Sequence, residues 1–345
     1  MEKILVTGGT GYIGSHTAVE LLNEGYEVII VDDLSNSQHE ALEGIEKITG
    51  KRPAFFSFDL CDEVKLDNLF KTNPDIKAII HFAASKAVGE SVEKPLLYYR
   101  NNLLSLIRLL EAMQKFQVPN IVFSSSCTVY GQPDKLPVTE ETPFKPAESP
   151  YGNTKQVGEE ILRDTCKTDP RINSIALRYF NPVGAHESAL IGEHPRGVPS
   201  NLVPFVTQAA AGIRKELMVF GNDYNTPDGS AVRDYIHITD LAKAHVKALK
   251  RLLGQKQKSN YEFFNLGTGK GLSVLEIINA FERANDLKLN YRIVARRSGD
   301  IEKIYADTSL ANRELEWNAQ LTVDDMMRSA WKWQQHLTQE KKIEA

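Results

Sequence analysis

Six short apolar runs set the strongest limit on what this chain can fold into: KILVT (3–7), EVIIVDD (27–33), AFFSF (54–58), KAIIHFAA (77–84), NIVFSSS (120–126) and INSIALRYF (172–180). They are mostly rich in Val, Ile or Phe, which is how a strand covered on both faces reads. Between them lie amphipathic stretches at 12–24, 62–72, 96–117 and 150–167. Strand and helix in alternation predict an α/β fold, a Rossmann-type doubly wound parallel sheet. Beyond residue 200 the regular alternation breaks down, so a smaller mixed α/β C-terminal substrate domain is expected. We read 1–180 as one domain and 181–345 as mainly a second, with some segments returning to the first.

Two long loops interrupt the pattern, 131–149 with four prolines and 182–200. Loops of that length in a compact domain usually carry function. Composition narrows the class further. The chain has 345 residues, 42% hydrophobic and 25% charged, with a net charge of −4 and mixed signs throughout. No one-signed basic face suggests nucleic acid. Cys61, Cys127 and Cys166 match no metal-ligand spacing and read as reduced thiols. His81 and His186 lack ligand-spaced partners and read as structural, so no metal is expected. A strand begins almost at the first residue and no apolar run reaches membrane length, so a cytoplasmic protein with no membrane partner is expected.

TGGTGYIG (7–14) joins the first strand to the first helix. Its glycines at 8, 11 and 14 permit a tight turn and a close approach of backbone to pyrophosphate. The helix N-terminus adds free N–H groups and partial positive charge. The second strand ends in Asp32, 18 residues after Gly14, where a carboxylate can take ribose hydroxyls and would repel a 2′-phosphate. NAD is favoured over NADP.

In SPYGNTK (149–155), Ser149 suits an N-cap and Pro150 the first helical position. Tyr151 and Lys155 then stand one turn apart on one face. Spacing alone favours a surface pair with no chemistry. The order of motifs decides for chemistry: a GxxGxxG turn followed by YxxxK resembles the extended short-chain dehydrogenase/reductase family. HFAASKAVGES (81–91), SSSCTVYG (124–131), RYFNPVGAH (178–186) and GNDYNTPDGSAVRDYIH (221–237) are similar to its nucleotide-sugar branch, and the resemblance runs from residue 3 to about 335.

That resemblance implies interconversion of UDP-galactose and UDP-glucose by transient oxidation at sugar C4, with tightly bound NAD. It implies that Tyr151 takes the proton of the 4-hydroxyl, that Lys155 serves it, and that Ser126 bonds the same oxygen. A phenol with an ordinary pKa near 10 is a poor base, and a nearby ammonium and an oxidised nicotinamide would both favour its phenolate. For the cofactor the resemblance adds Gly8, Gly11, Tyr12, Ile13, Gly14, Asp32, Asn36, Ser37, Asp59, Leu60, Phe82, Ala83, Ala84, Lys86, Asn101 and Tyr179, beside Ser126, Tyr151 and Lys155. For the UDP-sugar it implies Lys86, Ser126, Tyr151, Tyr179, Phe180 and Asn181 at the hexose and its phosphate. Asn201 and Leu202 then fall near the diphosphate and uracil, and Met218, Val219 and Phe220 form a wall for the base. Arg233 and Arg297 neutralise the diphosphate, Asp300 accepts from the ribose, and Ile304 gates the size of the sugar pocket. Isoleucine is intermediate there, which allows some exchange of UDP-GalNAc and UDP-GlcNAc.

Three further readings complete the expectation. The branch's 4,6-dehydratases carry Thr-Asp-Glu where this chain has Ser126, Cys127 and Thr128, so dehydration is disfavoured. The alternatives are another NAD-dependent nucleotide-sugar epimerase or reductase, for example one acting on UDP-uronic acid, and a non-catalytic dinucleotide sensor. A helix at 101–117 carries two apolar stripes, Leu103–Ile107–Leu110 and Leu106–Leu109–Met113–Phe116. That breadth, with the family resemblance, points to a homodimer.

Overall fold

The computed structural model describes residues 1–297 and 301–343. The six apolar runs form β1 (Lys3–Thr7), β2 (Glu27–Asp32), β3 (Ala54–Ser57), β4 (Ile76–His81), β5 (Asn120–Ser124) and β6 (Asn173–Tyr179). The helices among them are α1 (Tyr12–Asn23), α2 (Glu40–Thr49), α3 (Glu63–Thr72), α4 (Val88–Glu93), α5 (Pro95–Phe116) and α6 (Pro150–Thr168). α2 and α4 are additions to the sequence reading. α6 begins as its sequence dictates, with the Ser149 hydroxyl accepting from the Gly152 N–H and Pro150 in the first turn.

The chain continues through β7 (Asn181–Val183), α7 (Leu202–Ala210), β8 (Leu217–Phe220), β9 (Val232–His237) and α8 (Ile238–Leu253). It then forms β10 (Tyr261–Leu266), β11 (Gly271–Ser273), α9 (Val274–Asn285), β12 (Tyr291–Val294), β13 (Lys303–Ile304), α10 (Ser309–Glu314) and α11 (Val323–Ile343). The main sheet has seven strands in the order β10-β6-β5-β4-β1-β2-β3. Every pairing in it is parallel.

The order reverses between β1 and β4, the crevice where open α/β sheets take their ligands. The sheet's two faces are buried in separate apolar layers. One holds Ile4, Val6, Ile30 and Ile80 with α1 and α8; the other holds Leu5, Ile29, Ile79 and Ile121 with α3, α5 and α6. The seventh strand, YEFFNL, and α8 come from beyond residue 200, yet they complete the main sheet and its cover.

The remaining C-terminal elements build a smaller body. β11, β9 and β13 form one sheet with β7 beside β9, and β12 pairs β8 in another. Their core holds Val206, Leu217, Val219, Ile277, Phe281 and Met327. The loop 131–149 contains no helix or strand, only an isolated bridge at Val138. The loop expected at 182–200 gives up its first two residues to β7. Among the described residues, no helix is long and apolar enough to cross a membrane.

Candidate active site

In a parallel sheet all strands point the same way, so the residues after each strand gather on one edge. Here that edge collects the turn after β1, Asp32 to Ser37 after β2, Asp59 and Leu60 after β3, Phe82 to Lys86 after β4, Ser126 after β5, and Tyr179 and Phe180 at the end of β6.

The glycine turn is shaped for an anion. Gly8 sits at φ +69°, a left-handed conformation that favours glycine, and a Cβ there would lie 2.7 Å from the Ala83 nitrogen. A Cβ on Gly14 would collide with the Gly8 carbonyl. The helix N-cap is Gly11, so no side chain caps the first turn of α1 and its N–H groups remain available to a ligand. Asp32 is buried at the rim. Its Oδ1 accepts from the Leu34 N–H at 2.9 Å and the Ser37 hydroxyl at 2.9 Å, while among the described residues Oδ2 takes only the Thr10 N–H at 3.2 Å. Oδ2 thus keeps accepting capacity for a ribose hydroxyl. An uncapped helix end, a glycine cradle and a fixed carboxylate fit a dinucleotide with a free 2′-hydroxyl.

Ser126, Tyr151 and Lys155 converge at the ends of β5 and α6. All three are buried, with 6%, 8% and 4% of their surface exposed. Ser126 caps a 3-10 turn, Cys127–Tyr130, by accepting from the Thr128 N–H, and its hydroxyl also meets the Tyr151 phenol. The Lys155 ammonium donates to the Ser124 carbonyl at 2.7 Å, lies over the Phe123 ring, and sits 5.8 Å from the Tyr151 ring centroid. The Tyr179 and Ser124 hydroxyls share a hydrogen bond of 2.6 Å beside them.

Burial dominates the electrostatics. It pushes the Tyr151 phenol far above its ordinary value, with Tyr179 adding to the rise and Ser126 working against it. Burial also lowers the Lys155 ammonium to about 8, while the Glu159 carboxylate one turn on pulls it back up. The protein alone therefore holds Tyr151 as a neutral phenol and Lys155 charged at neutral pH. Desolvation is the largest influence on the phenol, and further positive charge in the pocket would favour the phenolate.

One functional feature escaped the sequence reading. Glu159 and Arg178 form a doubly hydrogen-bonded ion pair beneath Lys155, at 2.9 and 2.6 Å, with side chains 3% and 5% exposed. Glu159 also accepts from the Ser125 and Tyr261 hydroxyls, and Arg178 donates to the Tyr130 phenol. The network ties α6 to β5, β6 and β10, fixing the helix that carries Tyr151 and Lys155. Glu159 continues the lysine's helix face by one turn, which was the signal available in the sequence. Asn102 acts similarly on the other side, donating to the Ser85 carbonyl and the Thr154 hydroxyl, while Asn101 reaches the Ser85 hydroxyl.

The second body contributes the facing wall. Arg233 lies on β9 near enough to Cys127 to favour its thiolate, although burial pushes that thiol up to about 12. Lys86 and Asn201 meet at one carboxylate, Glu193, at 3.3 and 2.7 Å. Arg297 stacks over Phe220, 4.5 Å from its centroid. Met218 is exposed on β8 and Phe220 half-buried, but strand alternation turns Val219 into the C-terminal core at 1% exposure. Val219 can therefore join a uracil wall only through its backbone. Leu60 is likewise buried among apolar neighbours. Ile304 is buried too, in a cluster with Val129, Tyr130, Val138 and Phe180. Asn181 and Leu202 are half-buried on β7 and α7, Asp59 and Asn36 are exposed, and Asp300 lies outside the described residues. His81 is locked to the Thr7 hydroxyl, and burial lowers its imidazole to about 3. Among the described residues no group of three His, Cys, Asp or Glu could hold a metal.

This arrangement has close counterparts. Residues 5–330 match the GDP-mannose 4,6 dehydratase family model. The UDP-glucose 4-epimerase of Dictyostelium discoideum is 53% identical over 333 residues, 96% of each chain. The crystal structure of UDP-glucose 4-epimerase from Bifidobacterium longum in complex with NAD+ and UDP superposes with a TM-score of 0.93 at 51% identity, over 97% of this chain and 98% of that one. The Stenotrophomonas maltophila enzyme, with bound NAD and formylated UDP-arabinopyranose, gives 0.95 at 49% identity, over 99% of this chain and 100% of that one.

Proposed function

Since the chain belongs to the UDP-glucose 4-epimerases of the extended short-chain dehydrogenase/reductase family, we propose that it interconverts UDP-galactose and UDP-glucose by transient oxidation at sugar C4 with tightly bound NAD. The observation that carries this reading is the buried meeting of Ser126, Tyr151 and Lys155 at the sheet edge. NAD, when bound, would supply a hydride acceptor and a second positive charge beside that of Lys155.

Tyr151 takes the proton of the 4-hydroxyl and returns it on the opposite pass. Lys155, held by the Ser124 carbonyl, keeps a positive charge beside the phenol at neutral pH. Ser126 orients the reacting oxygen between them. Arg233 and Arg297 suit the diphosphate, because their guanidinium groups stay charged and fork onto phosphate oxygens. Asp32 with its spare Oδ2 suits the adenosine ribose, and the uncapped start of α1 suits the pyrophosphate. Dehydration is disfavoured despite the description of the matching family model. Cys127 and Thr128 offer no carboxyl to expel water, and the Cys127 thiol is too weak an acid at about 12.

The purified protein, given UDP-galactose and no cofactor, is expected to form UDP-glucose. No conversion even after NAD is supplied would overturn the reading and favour the uronic-acid or reductase alternatives. The intermediate size of Ile304, packed in one cluster with Phe180, extends the proposal to UDP-GalNAc and UDP-GlcNAc at a lower rate, and that extension fails if UDP-GalNAc is left untouched. We also assign a homodimer. α5 exposes Leu96 at 81%, Leu97 at 47% and Ile107 at 38%, while Leu106, Leu109 and Met113 face the sheet. An Ile107→Glu variant should elute as a monomer in light scattering coupled to gel filtration; a wild type that is itself monomeric would refute the assignment.

A further inference from the structure

The segment from Gly184 to Ser200 runs from the end of β7 to the start of α7 and touches both banks of the cofactor crevice. At its start the Gly184 carbonyl accepts from the Tyr12 phenol at 2.6 Å, which ties it to the glycine turn. Further on it packs against α2, where Gly44 leaves no room for a Cβ beside the Leu190 carbonyl and the Ile191 side chain. Ile191 itself is buried in the core shared with α1 and α2. On the C-terminal bank the Trp333 indole donates to the Glu193 carbonyl at 2.9 Å and Lys332 donates to the Glu187 carbonyl at 2.6 Å. The last anchor is Arg196. Its guanidinium donates to two carbonyls of the turn after β2, at 3.2 Å to Ser35 and 2.6 Å to Ser37.

That turn carries Asp32 and Ser37, the groups we assign to the adenosine end of the cofactor. We propose that Arg196 is the clasp of a strap over the adenosine end, and that it slows release of NAD. The inference rests on the proposed NAD site. A planar guanidinium is suited to bridging two carbonyls, each an oriented acceptor with no counter-charge to lose. The clasp draws the strap onto the β2 turn, so the cofactor can leave only after both bonds break or the strap lifts from α2. None of the sequence motifs that mark the cofactor site includes Arg196. The residue contributes to retention through the backbone it holds rather than by contact with reacting atoms.

The test uses holoenzyme incubated with isotopically labelled NAD, with protein-bound label followed by mass spectrometry after rapid gel filtration. Arg196→Ala should exchange its cofactor about tenfold faster than wild type, the change that about 1.4 kcal/mol makes. Arg196→Lys should fall between them, because an ammonium cannot fork onto both carbonyls. Thermal unfolding in saturating NAD checks that each variant is folded. Exchange by a folded Arg196→Ala variant at the wild-type rate would overturn the clasp while leaving the NAD site standing. A wild-type protein that neither carries nor takes up NAD would overturn both.

Discussion

The two walls of the crevice are built in opposite ways. On the sheet side, Ser126, Tyr151 and Lys155 are all less than 9% exposed, and their backbones and head groups are fixed by Ser124, the 3-10 turn and the Glu159–Arg178 pair. On the other side, Met218 is 47% exposed on a two-stranded sheet and Arg297 lies against an aromatic face at the surface. The side we assign to the chemistry is buried and tightly hydrogen-bonded, and the side we assign to the nucleotide is more exposed. In the proposed reading the reacting groups are preorganised, while the uracil and diphosphate side includes exposed residues.

Four substitutions or titrations would break or sharpen this contrast. The largest effect is expected from Tyr151→Phe, which keeps the ring and removes the proton acceptor. Turnover should fall by roughly 10³, within the range for general acid–base groups, with little change in melting temperature. A variant retaining turnover would move the chemistry elsewhere. Next is Arg178→Met, which leaves Glu159 buried without its partner. It should cost about 3–5 kcal/mol in denaturant unfolding, because an uncompensated buried charge remains. A loss below about 1 kcal/mol would mean that the rigid wall does not depend on this pair.

The third is a pH profile. Burial depresses the Lys155 ammonium from 10.5 to about 8. The charge is present below that value and lost above it, so turnover should decline on the alkaline side with a midpoint near 8. In Glu159→Gln the midpoint should move lower, since the carboxylate is what raises it. An unmoved midpoint would assign the limb to another group. The smallest effect belongs to the loosely built wall. Met218→Ala should change stability by less than about 0.5 kcal/mol, as exposed positions generally do. Its KM for UDP-galactose should rise less than about threefold.

The same contrast explains what the sequence made legible. β1, β2, β4, β5 and β6 announce themselves because strands buried on both faces are largely apolar, and the edge strand β3 shows by its paired phenylalanines. The seventh strand did not stand out, because Glu262 and Asn265 interrupt it. Both are satisfied only in the folded protein, Glu262 by Arg251 and Asn265 by the Tyr130 phenol and the Val138 carbonyl. Ser126, Tyr151 and Lys155 could be named from local motifs, since a helix start and a strand end fix them within a few residues. Glu159 and Arg178 could not, as a charge on a helix reads as solvated until β6 is laid beneath it. Nor could the inward turn of Val219, which depends on the face β8 presents to α7 and α9. Arg196 was hidden for a similar reason, since its partners are backbone carbonyls 161 and 159 residues away.

The measurement that bears most directly on the central claim uses UDP-galactose deuterated at sugar C4, turned over in ordinary water with no added cofactor. If Tyr151 and its neighbours support oxidation and return of hydride within one active site, the UDP-glucose formed keeps its deuterium at C4. Loss of that deuterium to solvent would mean inversion by proton abstraction from carbon, and would contradict the account.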